Sequence, residues 1–96
     1  MAKLYLRPAA LRDMENIWQY TAERWGLAQA ERYTDRLTNC FETLAQSPLS
    51  GTNCAHIRPG YRRQSVESHV VYYRAEPQAV TVVRVLHERM DAARHI

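Results

Sequence analysis

Apolar positions recur along this chain with two different periods. In KLYLR (3–7) Leu4 and Leu6 share one face and Tyr5 takes the other, which predicts a short strand. From Ala9 to Trp25 the steps become three and four. Leu11, Met14, Trp18, Thr21 and Trp25 then mark one stripe of a helix about 25 Å long. Pro8 suits the first turn, where its missing N–H costs nothing. Asp13 and Glu15 come early, towards the positive end of the helix dipole, and Gly26 can take the left-handed conformation that ends the helix. A second stripe follows at once: Ala30, Tyr33, Leu37, Cys40, Phe41 and Leu44, stopped by Pro48. So short a link folds two amphipathic helices back on each other. Residues 9–46 therefore predict an antiparallel αα-hairpin with one apolar side to cover, and Trp18 and Trp25 are expected in that core.

The cover has to come from later residues. SPLSGTNCAHIRPG (47–60) reads as a loop by its Pro, Gly, Ser and Asn content. YRRQS (61–65) is short and polar, and is expected to be half exposed. HVVYYR (69–74) and VTVVRVLH (80–87) are rich in β-branched and aromatic residues, separated at hairpin length. The expected fold is α+β, in the order β-α-α-β-β-β. The hairpin packs on a small, mainly antiparallel sheet, followed by a short C-terminal tail.

Composition changes this picture little. Ninety-six residues fit one domain, 1–96, and 46% apolar with 24% charged residues is ordinary for a globular protein. No apolar run reaches the roughly 18–20 residues that span a bilayer, and MAKLYLRPAA lacks the apolar stretch of a signal peptide. A cytoplasmic protein without a membrane role is expected, with Cys40 and Cys54 as free thiols. Charge adds more. The +3 excess lies mostly in the second half of the chain, and nearly every basic residue is arginine. Arginine's planar fork of donors matches carboxylates and phosphates.

Candidate chemistry concentrates in two stretches. In VLHERMD (85–91) the zinc-protease pattern H-E-x-x-H fails, because Asp91 stands where the second histidine belongs. No metal and no cofactor are expected. His87 remains open to two readings. It is a general base, with Arg62, Arg63, Arg74 or Arg84 as the cation a ribonuclease needs, or part of a polar clamp with Glu88, Arg89 and Asp91 at the sheet's edge. In IRPGYRR (57–63) a Pro59-Gly60 turn is flanked by arginines. Arg62 and Arg63 must face opposite sides of a strand. They form either an anion-binding patch or ion pairs with the chain's own acids. Exposed rings such as Tyr72 or Tyr73 beside such arginines suit a protein partner or stacked RNA bases.

Taken together, YTAERWGLAQAERY (20–33), IRPGYRR, SHVVYYR (68–74) and VVRVLHERMDAARH (82–95) resemble the ParE branch of the RelE/ParE toxin superfamily. The resemblance covers nearly the whole chain. It implies the toxin of a type II toxin–antitoxin module, a plasmid-stabilisation protein held silent by a ParD-like antitoxin whose disordered arm folds on it. Operator DNA would be reached only through the antitoxin. It also implies DNA gyrase as the target, poisoned by protein–protein binding.

The RelE branch instead cleaves messenger RNA in the ribosome, and that alternative would use His87, Arg84 and Arg62. Two features depart from it: Lys3 is the single lysine, and Glu88 follows His87 where a phosphate would approach. The expected protein is thus a binding toxin without catalytic residues. Its antitoxin anchors are expected at Leu11, Trp18, Tyr33, Arg62 and Arg63, with His87, Glu88, Arg89 and Asp91 as clamp or target contact.

Overall fold

A computed structural model describes residues 2–96. Strand β1 (Lys3–Leu6) leads into helix α1 (Pro8–Trp25), which turns at Gly26 into α2 (Leu27–Gln46). The chain then forms β2 (Thr52–Asn53), β3 (Tyr61–Val66), β4 (His69–Glu76), β5 (Ala79–His87) and a last short helix α3 (Ala92–His95). The sheet runs in the order β1-β5-β4-β3-β2, antiparallel except where β1 lies parallel to β5. This is the expected α+β arrangement with two elements added. β2 sits inside the stretch expected to be a loop, and the C-terminal tail ends in a helix.

Local chemistry explains the turns. Pro8 occupies the start of α1, and Gly26, at φ 93°, carries the corner between the helices. Glu67-Ser68 and Pro77-Gln78 close the two hairpins, Val66 facing His69 and Glu76 facing Ala79 across them. Asp13 and Glu15 fall beyond the first turn of α1, so the helix dipole does not account for them.

The helices cover one face of the sheet. Ala10 and Ile17 of α1, with Leu37, Phe41 and Leu44 of α2, pack on Val71, Tyr73, Val80, Val82 and Val85. Here α1 corrects the expectation. Its buried positions are Ala10, Ile17 and Thr21, whereas Leu11, Trp18 and Trp25 are 50%, 39% and 70% exposed. The close approach of the layers selects small and branched residues, and the bulky indoles lie outside.

The second face is covered too. Ile57 in the loop, and Ala92 and Ile96 at the chain's end, close over Cys54, Tyr61, Val70, Tyr72, Val83 and Leu86. β4 is therefore buried on both sides from Val70 to Tyr73. That is why its sequence is continuously apolar rather than alternating. Cys40 and Cys54 are free, the first half-buried on α2 and the second inside this smaller core. Burial pushes both thiols up, Arg63 and Arg62 opposing it at Cys54.

Between Tyr72 and Tyr73 the register shifts: Tyr72 faces Arg84, but Tyr73 faces Val82. Val83 is the extra residue of a β-bulge. It falls where β1 stops, since Leu6 pairs with Val82 and no strand flanks β5 beyond it. Arg84 reaches around this open edge to α1. Its guanidinium makes a bidentate pair with Asp13 at 2.7 and 2.8 Å and donates to the His95 carbonyl at 2.8 Å. Asp13 also accepts the Val85 N–H at 2.9 Å. One carboxylate thus satisfies the sheet edge and the arginine together, and the arginine ties down the chain's end.

Candidate protein-binding site

A groove of about 540 Å³ lies on the helical side, between α1, α2 and the β3–β4 turn. Its rim carries Tyr20, Trp25 and Gln29, and its floor Tyr33, His69 and His87. The floor follows from register. His69 and His87 are directly opposed at the end of the β4–β5 ladder, with ring centroids 5.4 Å apart in an edge-to-face arrangement. Tyr33 comes down from α2. Its hydroxyl lies 2.6 Å from His69 Nδ1 and donates to the Val66 carbonyl at 3.2 Å.

Two groups of this floor are held towards their neutral forms. Burial lowers the pKa of His69 and the neighbouring His87 lowers it further, while Asp13 and Glu88 oppose both. Burial likewise raises the Tyr33 phenol. His87 Nδ1 accepts the Arg89 backbone N–H at 3.2 Å. A neutral His87 therefore carries its proton on Nε2, which leaves that nitrogen a donor. Among the described residues no group of three or more His, Cys, Asp or Glu side chains is placed to hold a metal.

Trp25, on the groove's rim, is the end of an apolar stripe on α1. Leu11, Trp18 and Trp25 lie seven residues apart along the helix and are all exposed, and Leu27 stands exposed past the corner, while Tyr20 is exposed on another side of α1. Single exposed apolar residues are ordinary. An apolar helical stripe that ends at an aromatic-rimmed groove is a surface of the kind that binds protein. Arg24 stacks over the Tyr20 ring at 5.4 Å.

The residues singled out in the sequence divide among several places. Leu11 and Trp18 share the α1 stripe, and Tyr33 sits in the groove it feeds. Arg62 and Arg63 lie across the sheet on β3, which β4 separates from the α1-covered strand β5. They do face opposite sides. Arg62 is opposite Tyr73 of the main core, and Arg63 opposite Tyr72 of the smaller one. The Arg62 guanidinium is held by the carbonyls of Gly51 and Leu49 at 2.8 and 3.3 Å, and Arg63 is exposed.

VLHERMD is a chain reversal. Glu88 N–H donates to Ser68, Met90 N–H to His87, and the Asp91 carboxylate caps α3 through Ala93 N–H at 3.1 Å. Arg89 is exposed. The side chain that binds the chain's end to the sheet is Arg84, with Asp13 as its partner. No sequence signal links residues 71 positions apart. The set His87, Arg84 and Arg62 is not brought together. His87 lines the groove, Arg84 is committed to Asp13 beyond the β5 edge, and Arg62 lies at the β2 side.

Comparison with known proteins fits this geometry. The family model described as the ParE toxin of type II toxin–antitoxin systems, parDE, matches residues 4–92. The chain belongs to the ParE toxins. Toxin ParE1 of Mycobacterium tuberculosis is 43% identical over 96 residues, covering 99% of this chain and 98% of that protein. Toxin ParE1 of Caulobacter vibrioides is 40% identical over 84 residues, covering 88% and 86%. Among solved structures, a chain of the chromosomal ParDE TA system from P. aeruginosa superposes with a TM-score of 0.78 at 18% identity. It covers 91% of this chain and 96% of that one. Among the described residues of this ParE toxin, no helix is long and apolar enough to cross a membrane.

Proposed function

We propose that this ParE toxin acts in the cytoplasm by binding and poisoning DNA gyrase, with residues 1–96 working as one toxin domain. A ParD-like antitoxin silences it, and operator DNA is reached only through that antitoxin. The observation that carries the reading is the exposed α1 stripe, which meets the Tyr33–His69–His87 groove at Trp25. It offers aromatic area and fixed hydrogen-bonding edges, which suit recognition of a protein. A disordered antitoxin arm must offset its own ordering entropy with a large buried apolar area. Leu11, Trp18 and Trp25 of the stripe, together with the groove around Tyr33, supply such area. Arg62 and Arg63 lie on β3, which β4 separates from β5, and an arm that continued across the sheet would meet them there.

Supercoiling by purified gyrase, with and without the toxin, tests the target. Cleavage complexes should accumulate as toxin is added and disappear when the antitoxin is supplied. Supercoiling that stays normal at a large molar excess would remove gyrase from the reading. For the antitoxin, Trp18→Ala should weaken binding measured by calorimetry about ten-fold or more, as expected of a central aromatic anchor. Arg63→Ala should change it far less.

A further inference from the structure

A second groove, of about 570 Å³, opens on the opposite face of the sheet, and the toxin reading makes no use of it. Arg7, Arg58, Arg74 and Arg84 converge on it from four separate segments, over a floor that includes Val83 and Tyr61. No acidic side chain lines it among the described residues. Arg84 is neutralised by Asp13, and Arg74 shares a 3.2 Å contact with Glu76 in which both side chains are more than 40% exposed. Arg7 and Arg58 take part in no ion pair among the described residues. Arg7 and Arg58 thus leave positive charge without a partner beside two paired guanidiniums, and an anion in the groove would compensate it.

The floor narrows the choice of anion. Tyr61 is only 5% exposed and lines the groove beside the arginines. The volume far exceeds that of a lone oxyanion, and Val83 gives part of the floor an apolar character. Guanidinium forks and a phenol over apolar surface suit a phosphate carrying a planar organic group. We propose that this groove binds a nucleoside phosphate, the phosphate towards Arg7, Arg58 and Arg74, and the nucleoside against Val83 and Tyr61. The ligand is either a free nucleotide or the phosphorylated end of a nucleic-acid strand, and binding involves no bond cleavage.

The test is titration of the full chain at low salt, followed by amide chemical shifts. The probes are AMP, adenosine, inorganic phosphate, a 5′-phosphorylated trinucleotide and a tetraglutamate peptide. AMP should saturably shift Val83, Arg84 and Ile96, and should bind more tightly than adenosine or phosphate. Arg7→Ala and Arg58→Ala should each weaken AMP by about five-fold, the scale of one partly exposed charge-assisted contact. Arg36→Ala, an exposed arginine paired with Glu67 elsewhere, should leave the affinity unchanged. A trinucleotide at least ten-fold tighter than AMP assigns the site to a strand end, and equal affinities assign it to the free nucleotide. Three results would each overturn the proposal: AMP shifts absent from the groove, equal losses in Arg36→Ala and Arg58→Ala, or tetraglutamate binding there more tightly than AMP.

Discussion

The two long helices lie side by side on one sheet, yet they treat their apolar residues differently. On α2 the apolar stripe and the buried stripe coincide: Ala30, Leu37, Phe41 and Leu44 are all in the core. On α1 they part. The core takes Ala10, Ile17 and Thr21, while Leu11, Trp18 and Trp25 form a separate exposed line. Most of the α2 stripe serves folding, only Tyr33 reaching into the groove, whereas α1 serves folding on one side and offers an exposed apolar line on another. A helix with more apolar residues than its packing needs is where a binding surface is to be sought.

The sharpest way to break this contrast is on α2. Leu37 is wholly buried, so Leu37→Ala should cost about 3 kcal/mol, read from the midpoint of guanidinium unfolding. A loss below about 1 kcal/mol would mean that α2 is not the anchor described. Next comes the joint that ties α1 to β5. Arg84→Ala leaves the Asp13 carboxylate largely inside the protein with only the Val85 N–H beside it, and should cost about 2–3 kcal/mol. It should also loosen the chain's end, seen as faster hydrogen exchange at Ala92 to Ile96.

A smaller effect comes with pH. The folded His69 ring resists protonation below its ordinary value of 6.5, so the unfolded chain binds more protons as pH falls past that point. Stability contributed by the neutral ring is full above pH 6.5 and declines below it while the unfolded ring protonates and the folded one does not, levelling off once the folded ring takes its proton. His69→Gln should flatten that decline between pH 7 and pH 5 in thermal melts. An unchanged slope would place the titration elsewhere. The smallest effect belongs to the exposed line of α1. Trp25→Ala should alter stability by no more than about 0.5 kcal/mol. A loss comparable to that at Leu37 would abolish the distinction between the helices.

Much of the architecture was legible in the sequence, and the reasons for the rest are physical. The α2 stripe, the corner at Gly26 and the strands from Tyr61 onwards follow from period and turn chemistry. The face of α1 does not, because apolarity ranks tryptophan above alanine, whereas close helix–sheet packing ranks them the other way at Ala10. Thr52-Asn53 is too short to carry any period, and only its partner, Arg62-Arg63, makes it a strand. At the candidate site, Trp18 and Tyr33 were visible as large amphipathic side chains. The Asp13–Arg84 joint was not, since it depends on where β1 stops and β5 bulges.

That one additional residue in β5 has a consequence of its own. In a regular strand, the position after Val82 offers a single side chain to the far side of the sheet. β5 would then have to choose between a valine that plugs the lesser core and an arginine that reaches round to the first helix. By doubling that position the chain keeps plug and tether at the same level. Excising Val83 should leave the inside–outside order of Val85 and Leu86 intact while emptying the floor beneath the chain's last turn.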